Sequence, residues 1–274
     1  MNATPPDLQR TFTGEIPRNY DHFLGPAWFG RHAAELARRL PADPGGDVLE
    51  IACGTGLVTE HLRKRLDPRR RLVATDLSGA MLDYARTKLA GLEGITWQTA
   101  DAGKLPFAEG EFAAIACSFG VMFVPDRKAL FAEARRVLAP GGHFVFNVWD
   151  RIEENPCVLT YEQAIERLFP GDKELVFRVP YQMADEALLR GLLEGAGFTA
   201  QKIEKVQVPV QGVTARDVAT GQVRGTPRGL LLAKRGVEFD YAIDRVTEAL
   251  EERGGKGTSF RLGSQAIMVE ARAG

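Results

Sequence analysis

The chain has 274 residues, of which 45% are hydrophobic and 26% charged, so disordered and collagen-like proteins are excluded and a sizeable core is expected. Its 35 basic and 36 acidic residues leave a formal net charge of −1. A general phosphate-binding surface is therefore not expected, and neither is a nucleic-acid partner.

The N-terminus and the cysteines bear on localisation. Residues 1–10 lack the basic start and the apolar stretch of a signal peptide. The longest uncharged apolar run, 112–124, is shorter than the roughly 20 residues that a membrane-spanning helix needs. Cys53, Cys117 and Cys157 lie too far apart for a disulfide framework or a CxxC metal site. We predict a cytoplasmic protein with no membrane association and no metal ion.

From about residue 46 to residue 150, short apolar runs alternate with segments of helical periodicity. This pattern predicts a parallel sheet covered by helices on both faces. An aromatic-rich run within 17–40 precedes it and leads into a helix, which either packs on the sheet edge or closes over a pocket. The predicted strands are 48–52, 71–75, 95–99, 112–117 and 143–148, and the predicted helices begin at residue 57, after the cap Ser78 and at Asp126.

Beyond residue 150 the pattern changes. The alternation of Val206, Val208 and Val210 predicts a strand, and a last strand is predicted near 264–271. The stretches with helical periodicity are 161–168, 185–195, 215–234 and 238–253.

The turn between the first strand and the first helix carries the strongest functional signal. It has the sequence EIACGTG from Glu50 to Gly56. Gly54 and Gly56 let the backbone turn sharply and approach a ligand closely, and the N–H groups of the helix start point into the same space. Asp76 ends the second strand, 20 residues after Gly56. A carboxylate at this position can accept hydrogen bonds from both ribose hydroxyls. Together these residues predict a nucleoside ligand.

The surroundings of this turn discriminate between nucleoside ligands. A dinucleotide-binding turn carries a third glycine three residues after the second, and Thr59 occupies that position here. Glu50 would place negative charge near a pyrophosphate, whereas it would attract the ammonium and sulfonium of S-adenosylmethionine. These residues favour S-adenosylmethionine over a nicotinamide dinucleotide.

Four ordered segments carry a resemblance to a known family. They are VLEIACGTGLVT at 48–59, VATDLSGAMLDYA at 73–85, ADAGKLPF at 100–107 and RRVLAPGGHFVF at 135–146. The stretch from residue 48 to residue 149 resembles the class I S-adenosylmethionine-dependent methyltransferases, especially the small-molecule branch similar to ubiquinone/menaquinone biosynthesis methyltransferases.

The resemblance implies an α/β fold. We expect a Rossmann-like, doubly wound sheet of seven strands, mostly parallel with an antiparallel last strand, plus helical lid insertions. We treat residues 1–274 as a single methyltransferase domain. Its expected parts are an N-terminal lid segment at 1–40, a cofactor-binding core at 41–150, lid or substrate insertions at 151–184 and 213–257, and the last strand at 258–274.

The same resemblance implies roles for residues of the first two motifs. Gly54 and Gly56 would line the methionine portion of S-adenosylmethionine, and Glu50 would support the loop or bind the amino group. Asp76 would hold the ribose, and Leu77 would lie against the adenine.

Further implied contacts lie outside those two turns. Asp101 would accept from the exocyclic adenine amine, with the backbone of Ala102 beside it, although an aspartate here is also typical of a turn or helix cap. Met81 would pack near the cofactor or belong to the core. Tyr20 would close over the cofactor or act as a packing residue.

The end of the fourth strand would form the floor beneath the sulfonium. Ser118 and Phe119 stand there, where open α/β sheets place their ligands. The sequence around them lacks the Asn/Asp-Pro-Pro-aromatic motif of amino-methylating DNA enzymes. The dipeptide Pro156-Cys157 follows the fifth strand, not the fourth, where a cytosine-C5 enzyme would place its nucleophile. We therefore expect a small-molecule acceptor.

No specific catalytic residue is predicted. The leaving group of a sulfonium needs no protonation, so the main task is to hold the acceptor near the methyl group. His22 is a candidate base by its position in the aromatic run. His32 and His61 are predicted on exposed helix faces, and His143 in a structural position.

Acceptor specificity is expected from the segments outside the core. Their aromatic and apolar residues either wall an acceptor pocket or pack the helices against one another. They are Phe12, Trp28, Trp149, Tyr161, Phe169, Phe177, Tyr181 and residues 230–232.

Two alternative functions stay open at this point. One is a nicotinamide-dependent oxidoreductase, which would bind that dinucleotide. The other is a non-catalytic protein that binds S-adenosylmethionine, since a fold does not fix activity. The sequence leaves the acceptor, the methylated atom and the oligomeric state undetermined.

Overall fold

The computed structural model describes residues 12–172, 174–175 and 178–274. Residues 1–11 of the predicted N-terminal lid and Phe177 of the predicted pocket walls lie outside the described residues.

Seven strands form one sheet among these residues. They are β1 (Val48–Ile51), β2 (Leu72–Asp76), β3 (Ile95–Thr99), β4 (Phe112–Ser118), β5 (Leu138–Trp149), β6 (Phe198–Val210) and β7 (Leu262–Ala273). The order across the sheet is β3-β2-β1-β4-β5-β7-β6. Neighbours from β3 to β5 are parallel, and β7 lies antiparallel between β5 and β6. The predicted seven-stranded, mostly parallel sheet with an antiparallel last strand is confirmed.

The centre of the sheet is buried on both faces. All four residues of β1 are buried, and β4 is buried from Ala114 to Cys117. Helices on both faces explain why these strands are continuous apolar runs without alternation. The helices that connect the parallel strands are α3 (Leu57–Arg65), between β1 and β2, α4 (Gly79–Lys88), between β2 and β3, and α5 (Arg127–Val137), between β4 and β5.

Two predicted helix caps are present. The Ser78 side chain accepts from the N–H of Met81 at 3.3 Å, and the Asp126 side chain accepts from the N–H of Ala129 at 2.9 Å. Each satisfies a donor that the first turn of a helix leaves without an intrahelical partner. These caps fix where α4 and α5 begin, directly after β2 and near the end of β4.

The antiparallel edge is longer than its sequence pattern indicates. β6 and β7 pair from Phe198 with Ala273 to Val210 with Leu262. Only 206–210 of β6 was predicted as a strand. Charged residues such as Lys202 and Lys205 precede that stretch and hide the alternation, because this edge strand has a face in contact with solvent.

The N-terminal helical segment runs from Ile16 to Ala37. It comprises α1 (Ile16–Asn19), π-helical turns at Tyr20–Phe29 and α2 (Gly30–Ala37). Leu24 and Trp28 are buried in the main core, so the segment is anchored by apolar packing.

The remaining α-helices are α6 (Pro156–Leu168), α7 (Glu186–Gly195), α8 (Ala215–Arg224), α9 (Arg228–Lys234) and α10 (Phe239–Gly254). Of these, α6 packs on β7 and α7 on β6, while α8, α9 and α10 pack on other helices. The prediction of a single helix at 215–234 is wrong, because the helix is interrupted at residues 225–227. Pro227 has no N–H to continue α8 and instead stands before α9. None of the helices described is long and apolar enough to cross a bilayer.

Candidate functional site

A cavity of about 530 Å³ opens at the carboxyl ends of β1, β2 and β4. The strand order reverses between β1 and β4, since β2 and β3 lie on one side and β5 on the other. Open α/β sheets bind ligands in the crevice at such a point. The volume falls in the range of roughly 300–1,000 Å³ that small-molecule sites occupy.

The loop after β1 contains three residues of positive φ. They are Ala52 at 55°, Gly54 at 55° and Gly56 at 78°. A Cβ added at Gly54 would meet no atom within 4 Å, and Gly54 lines the cavity. A Cβ added at Gly56 would come within 2.9 Å of Leu89 Cδ1 and 3.2 Å of Ala85 Cβ. Gly54 therefore leaves space in the cavity, whereas Gly56 allows the loop to pack on α4.

The carboxylate of Asp76 lines the cavity at the end of β2. Its Oδ2 accepts from the N–H of Gly54 and its Oδ1 from the N–H of Ser78, both at 2.8 Å. Burial raises the pKa of Asp76, and these N–H donors act in the opposite direction. Each oxygen has a further lone pair, so the carboxylate is held in place and can accept two more hydrogen bonds.

The predicted cofactor residues fall into two groups. Glu50 and Gly56 are buried and do not line the cavity. The other eight line it: Tyr20, Gly54, Asp76, Leu77, Met81, Asp101, Ala102 and Ser118.

The positions of Asp101 and Met81 are compatible with both interpretations that the sequence left open. The Oδ1 of Asp101 accepts from the N–H of Gly103 at 2.8 Å, which is the turn contact, and Asp101 also lines the cavity. Met81 is 5% exposed and lines the cavity as well.

Four rings form what we call the aromatic wall of the cavity: Tyr20, Phe29, Phe119 and Trp149. Phe119 stacks on Trp149 with ring centroids 4.0 Å apart, and Tyr20 stacks on Phe29 at 4.8 Å. Phe29 links the two pairs, at 5.5 Å from Phe119 and 5.7 Å from Trp149. The wall joins the predicted N-terminal lid to the ends of β4 and β5.

The backbone at Phe119 explains how its ring reaches Trp149. Its φ is 52°, and its N–H donates to the carbonyl oxygen and to Oδ1 of Asn147, at 3.1 and 3.0 Å. A bulky residue in this region is strained by about 1–3 kcal/mol, and such strain is concentrated at functional sites.

The histidines lie outside the cavity lining that is described. His22 is exposed and packs edge-on against Phe23, so its position gives no support to a role as a base. The prediction that His32 is exposed is wrong. His32 is fully buried, with its ring edge-on to Phe119 and Trp149, and burial lowers its pKa to about 3. It supports the aromatic wall from behind.

Comparison with known proteins identifies this arrangement. Residues 48–142 match the protein-family model described as "Methyltransferase domain". A ubiquinone/menaquinone biosynthesis C-methyltransferase UbiE of Caulobacter vibrioides is 31% identical over 211 residues, which cover 70% of this chain and 84% of that protein. The chain belongs to the class I S-adenosylmethionine-dependent methyltransferases. It transfers a methyl group from S-adenosylmethionine to a small-molecule acceptor.

One further sequence relative and one solved structure resemble this methyltransferase to different extents. A UbiE of Desulfotalea psychrophila is 43% identical over 104 residues, which cover 38% of this chain and 42% of that protein. The structure of Haemonchus contortus phosphoethanolamine N-methyltransferase 2 in complex with S-adenosyl-L-methionine has 18% identity and a TM-score of 0.61, covering 97% of this chain and 59% of that one. The second likeness concerns the fold alone.

Glu50 of the methyltransferase is a buried residue of β1, just before the glycine loop. It is 1% exposed, and burial raises its pKa to about 8. The nearby carboxylate of Asp76 acts in the same direction, whereas hydrogen bonds with Thr59 oppose it. The hydrogen bonds with Thr59 connect the end of β1 to α3, and Glu50 is not among the residues that line the cavity.

A clasp of three side chains fastens the N-terminal segment of the methyltransferase to α4. Asp21 accepts from Lys88 Nζ at 2.6 Å and from the hydroxyl of Tyr84 at 3.2 Å. Lys88 Nζ also donates to the carbonyl oxygen of Thr55 at 3.1 Å. The clasp thus ties the segment that carries Tyr20 to the glycine loop.

The insertions also bring polar residues to the cavity that the sequence pattern does not indicate. They are Gln222, Thr226 and Arg228, from the end of α8 and the start of α9. Polar and charged residues on a short helix are typical of a solvated face, so their pattern gave no signal. Of the predicted apolar walls, Phe12, Trp28, Trp149, Tyr181 and Leu231 line the cavity, and Tyr161 is buried in the core.

Proposed function

We propose that this methyltransferase acts on a small planar molecule with an apolar ring face, of the quinol or hydroxyquinone class. The aromatic wall carries the proposal, because its stacked rings share one cavity with the carboxylate of Asp76. Aromatic side chains bury planar rings in offset or edge-on contact. The name of the Caulobacter relative, a C-methyltransferase of ubiquinone/menaquinone biosynthesis, supports a ring acceptor.

Within the cavity the described residues fit S-adenosylmethionine. Asp76 presents two fixed carboxylate oxygens for the ribose, and the open space over Gly54 allows a ligand to approach the backbone. We assign Leu77, Met81, Asp101 and Ala102 to the adenine side, and Tyr20 with Ser118 to the methionine side. When bound, S-adenosylmethionine supplies a methyl group on a positively charged sulfur that leaves without protonation.

The residues of this chain then act mainly by position. The aromatic wall holds the acceptor ring, and its faces favour a nearby positive charge by cation–π attraction. The N-terminal segment, tied down by the clasp, excludes water from the cavity. Holding the nucleophile at roughly 3–3.5 Å from the methyl carbon removes most of the entropic part of the barrier.

The proposal also includes the cellular compartment of the enzyme and the type of acceptor. Cys53, Cys117 and Cys157 are buried free thiols, which suits a reducing, cytoplasmic compartment. A net charge of −1 gives no support to a nucleic-acid acceptor, so we propose a free small molecule.

The test is a comparison of acceptor classes. The enzyme is incubated with S-adenosylmethionine and either 2-hydroxy-1,4-naphthoquinone, 2-naphthol, ethanolamine or a short aliphatic acid, and methylated products are measured by mass spectrometry. We expect methylation of the planar compounds alone. Faster methylation of ethanolamine or the aliphatic acid would refute the proposed class.

A matched pair of tryptophan variants links the result to the wall. Trp149→Leu removes a ring of the wall, whereas Trp97→Leu removes a half-buried ring on β3 that does not line the cavity. We expect roughly tenfold slower methylation in Trp149→Leu and little change in Trp97→Leu. The loss in Trp149→Leu combines an aromatic contact of about 0.5–1.5 kcal/mol with the lost burial of the ring.

A further inference from the structure

One cationic side chain stands among the described residues that line the cavity, namely Arg228 at the start of α9. It is 7% exposed, so most of its surface is withdrawn from water. Nearby in the lining are the apolar Pro227 and Leu231 and the uncharged polar residues Gln222 and Thr226. A buried guanidinium with uncharged neighbours in the lining needs a specific reason, because desolvation of a charge is costly.

Arg228 is held from behind by residues of α6. It forms an ion pair with Glu162, which is 3% exposed, and its guanidinium carbon lies 4.9 Å from the centroid of the Tyr161 ring. Burial lowers the pKa of Arg228, but the Glu162 carboxylate together with Tyr161 and Tyr181 outweighs burial, so the pKa is raised. The guanidinium is thus charged and fixed in orientation.

Stability alone does not explain this arrangement. Replacing a buried ion pair by apolar residues of similar volume is often neutral or stabilising. In contrast, a few fixed polar groups in an apolar pocket are the usual means of orienting a ligand. A guanidinium has five N–H donors in a planar fork, so it can bind a carboxylate on one side and a second oxygen on another.

We infer that Arg228 binds an ionised oxygen of the acceptor, an enolate or phenolate, and so selects acceptors that are anionic at neutral pH. This inference rests on the proposed function, whose planar acceptor it specifies further. Glu162 is a positioning residue that keeps the guanidinium turned towards the cavity.

The chemistry of the transfer favours such an acceptor. In an enolate the ring carbon is already nucleophilic, so a carbon–methyl bond forms while the carbon–sulfur bond breaks and its electron pair stays on sulfur. The proton on the methylated carbon then passes to water. No histidine occurs among the described residues of the lining, and an acceptor that arrives ionised needs none.

The experiment compares an anion with its neutral ether. Binding of 2-hydroxy-1,4-naphthoquinone, which is an anion at neutral pH, and of 2-methoxy-1,4-naphthoquinone is measured by calorimetry on enzyme saturated with S-adenosylhomocysteine. We expect wild-type enzyme to bind the anion at least tenfold more tightly. In Arg228→Gln the preference disappears, while the affinity for S-adenosylhomocysteine is unchanged.

Two further variants separate recognition from folding. Glu162→Met with Arg228→Met removes both charges together, so no unpaired charge is left buried, and it is expected to fold and to lose the preference. Arg224→Gln is the matched control: Arg224 lies on α8, pairs with Asp240 and stands over the Phe239 ring, but it does not line the cavity. It should keep the preference.

The outcomes distinguish the two proposals. Equal binding of anion and ether by wild-type enzyme, or a preference that survives in Arg228→Gln or in the double variant, overturns the role of Arg228 and leaves the planar acceptor standing. If neither naphthoquinone binds, the planar acceptor itself is refuted, and the role of Arg228 with it.

Discussion

Gly54 and Gly56 both have positive φ, yet their surroundings differ. Gly54 faces open cavity, whereas Gly56 is pressed against Leu89 and Ala85 of α4. The absence of a Cβ therefore has a different effect at each position. It leaves space for a ligand at Gly54 and allows close packing at Gly56. Asp76 connects Gly54 to the end of β2, since it accepts from the N–H of Gly54.

Substituting alanine at each glycine separates these roles. Both variants strain the backbone by about 1–2 kcal/mol, because an L-residue disfavours this conformation. Gly56→Ala should in addition lose about 1–3 kcal/mol of stability through overpacking. Gly54→Ala should weaken binding of S-adenosylhomocysteine more than Gly56→Ala does. Thermal unfolding and calorimetry measure the two effects, and a reversed ranking would contradict the assignment.

Asp76→Ala is expected to weaken binding of S-adenosylhomocysteine by about 1.5–3 kcal/mol, the range for hydrogen bonds to a charged group. That is roughly a tenfold to hundredfold change in the dissociation constant. Asp83→Ala is the matched control, since Asp83 lies on α4 with an exposed side chain paired to Arg86. Equal dissociation constants for wild type and Asp76→Ala would remove Asp76 from the site.

The buried carboxyl of Glu50 predicts a pH dependence of stability. Burial raises its pKa from 4.5 to about 8, so the folded state holds this proton more tightly than the unfolded state does. The resulting stabilisation is complete below about pH 4.5 and is lost as the pH rises through about 8. Relative to Glu50→Gln, wild-type Tm should therefore fall across this window. Parallel Tm profiles would show that Glu50 does not titrate there.

At the scale of elements, the N-terminal helical segment both packs in the core and lines the cavity. Leu24 and Trp28 bury it in the main core, while Tyr20 and Phe29 belong to the aromatic wall. Its connection to α4 depends on the clasp at Asp21. The segment can therefore respond to changes at the clasp without losing its apolar anchor.

Lys88→Met tests the clasp. The side chains of Lys88 and Asp21 are 21% and 15% exposed, so the pair is partly screened and worth about 1 kcal/mol. Dissociation of S-adenosylhomocysteine should become roughly fivefold faster, as stopped-flow tryptophan fluorescence would record. Arg86→Met removes an exposed ion pair from the same helix and should leave the rate unchanged. Identical rates in both variants would exclude a covering role for the clasp.

At the scale of the whole molecule, the cavity is assembled from distant parts of the chain. The ends of β1, β2 and β4 supply the side that we assign to the cofactor, and α8, α9 and the turn at Val179–Tyr181 supply an opposite set of walls. The ligand site therefore depends on the relative packing of sheet and insertions, and a ligand that fills it should stabilise the complete fold.

S-adenosylhomocysteine at a hundredfold excess over its dissociation constant should stabilise the enzyme by about 2.7 kcal/mol. For a chain of this size, that corresponds to a rise in Tm of several degrees. A nicotinamide dinucleotide at the same concentration should produce no rise, because the loop after β1 lacks the third glycine. Stabilisation by the dinucleotide alone would contradict the assigned cofactor.

The sequence by itself determined the sheet, its parallel centre and most of the half of the cavity that we assign to the cofactor. Continuous apolar strands, the glycine loop and Asp76 are close in sequence, and their backbone requirements are local. Two of the expected cofactor residues, Glu50 and Gly56, nevertheless lie behind the cavity, since spacing alone does not tell which side of a loop faces the ligand.

Only the tertiary structure decided the half of the cavity that we assign to the acceptor. Arg228 and Glu162 are 66 residues apart in the sequence and carry opposite charges on helices whose surfaces resemble solvated faces. The stacking of Phe119 on Trp149 likewise needs the unusual backbone at Phe119 and the pairing of β4 with β5. Such contacts depend on which helix packs over which strand, and that choice is made by burial of the whole core rather than by any local pattern of residues.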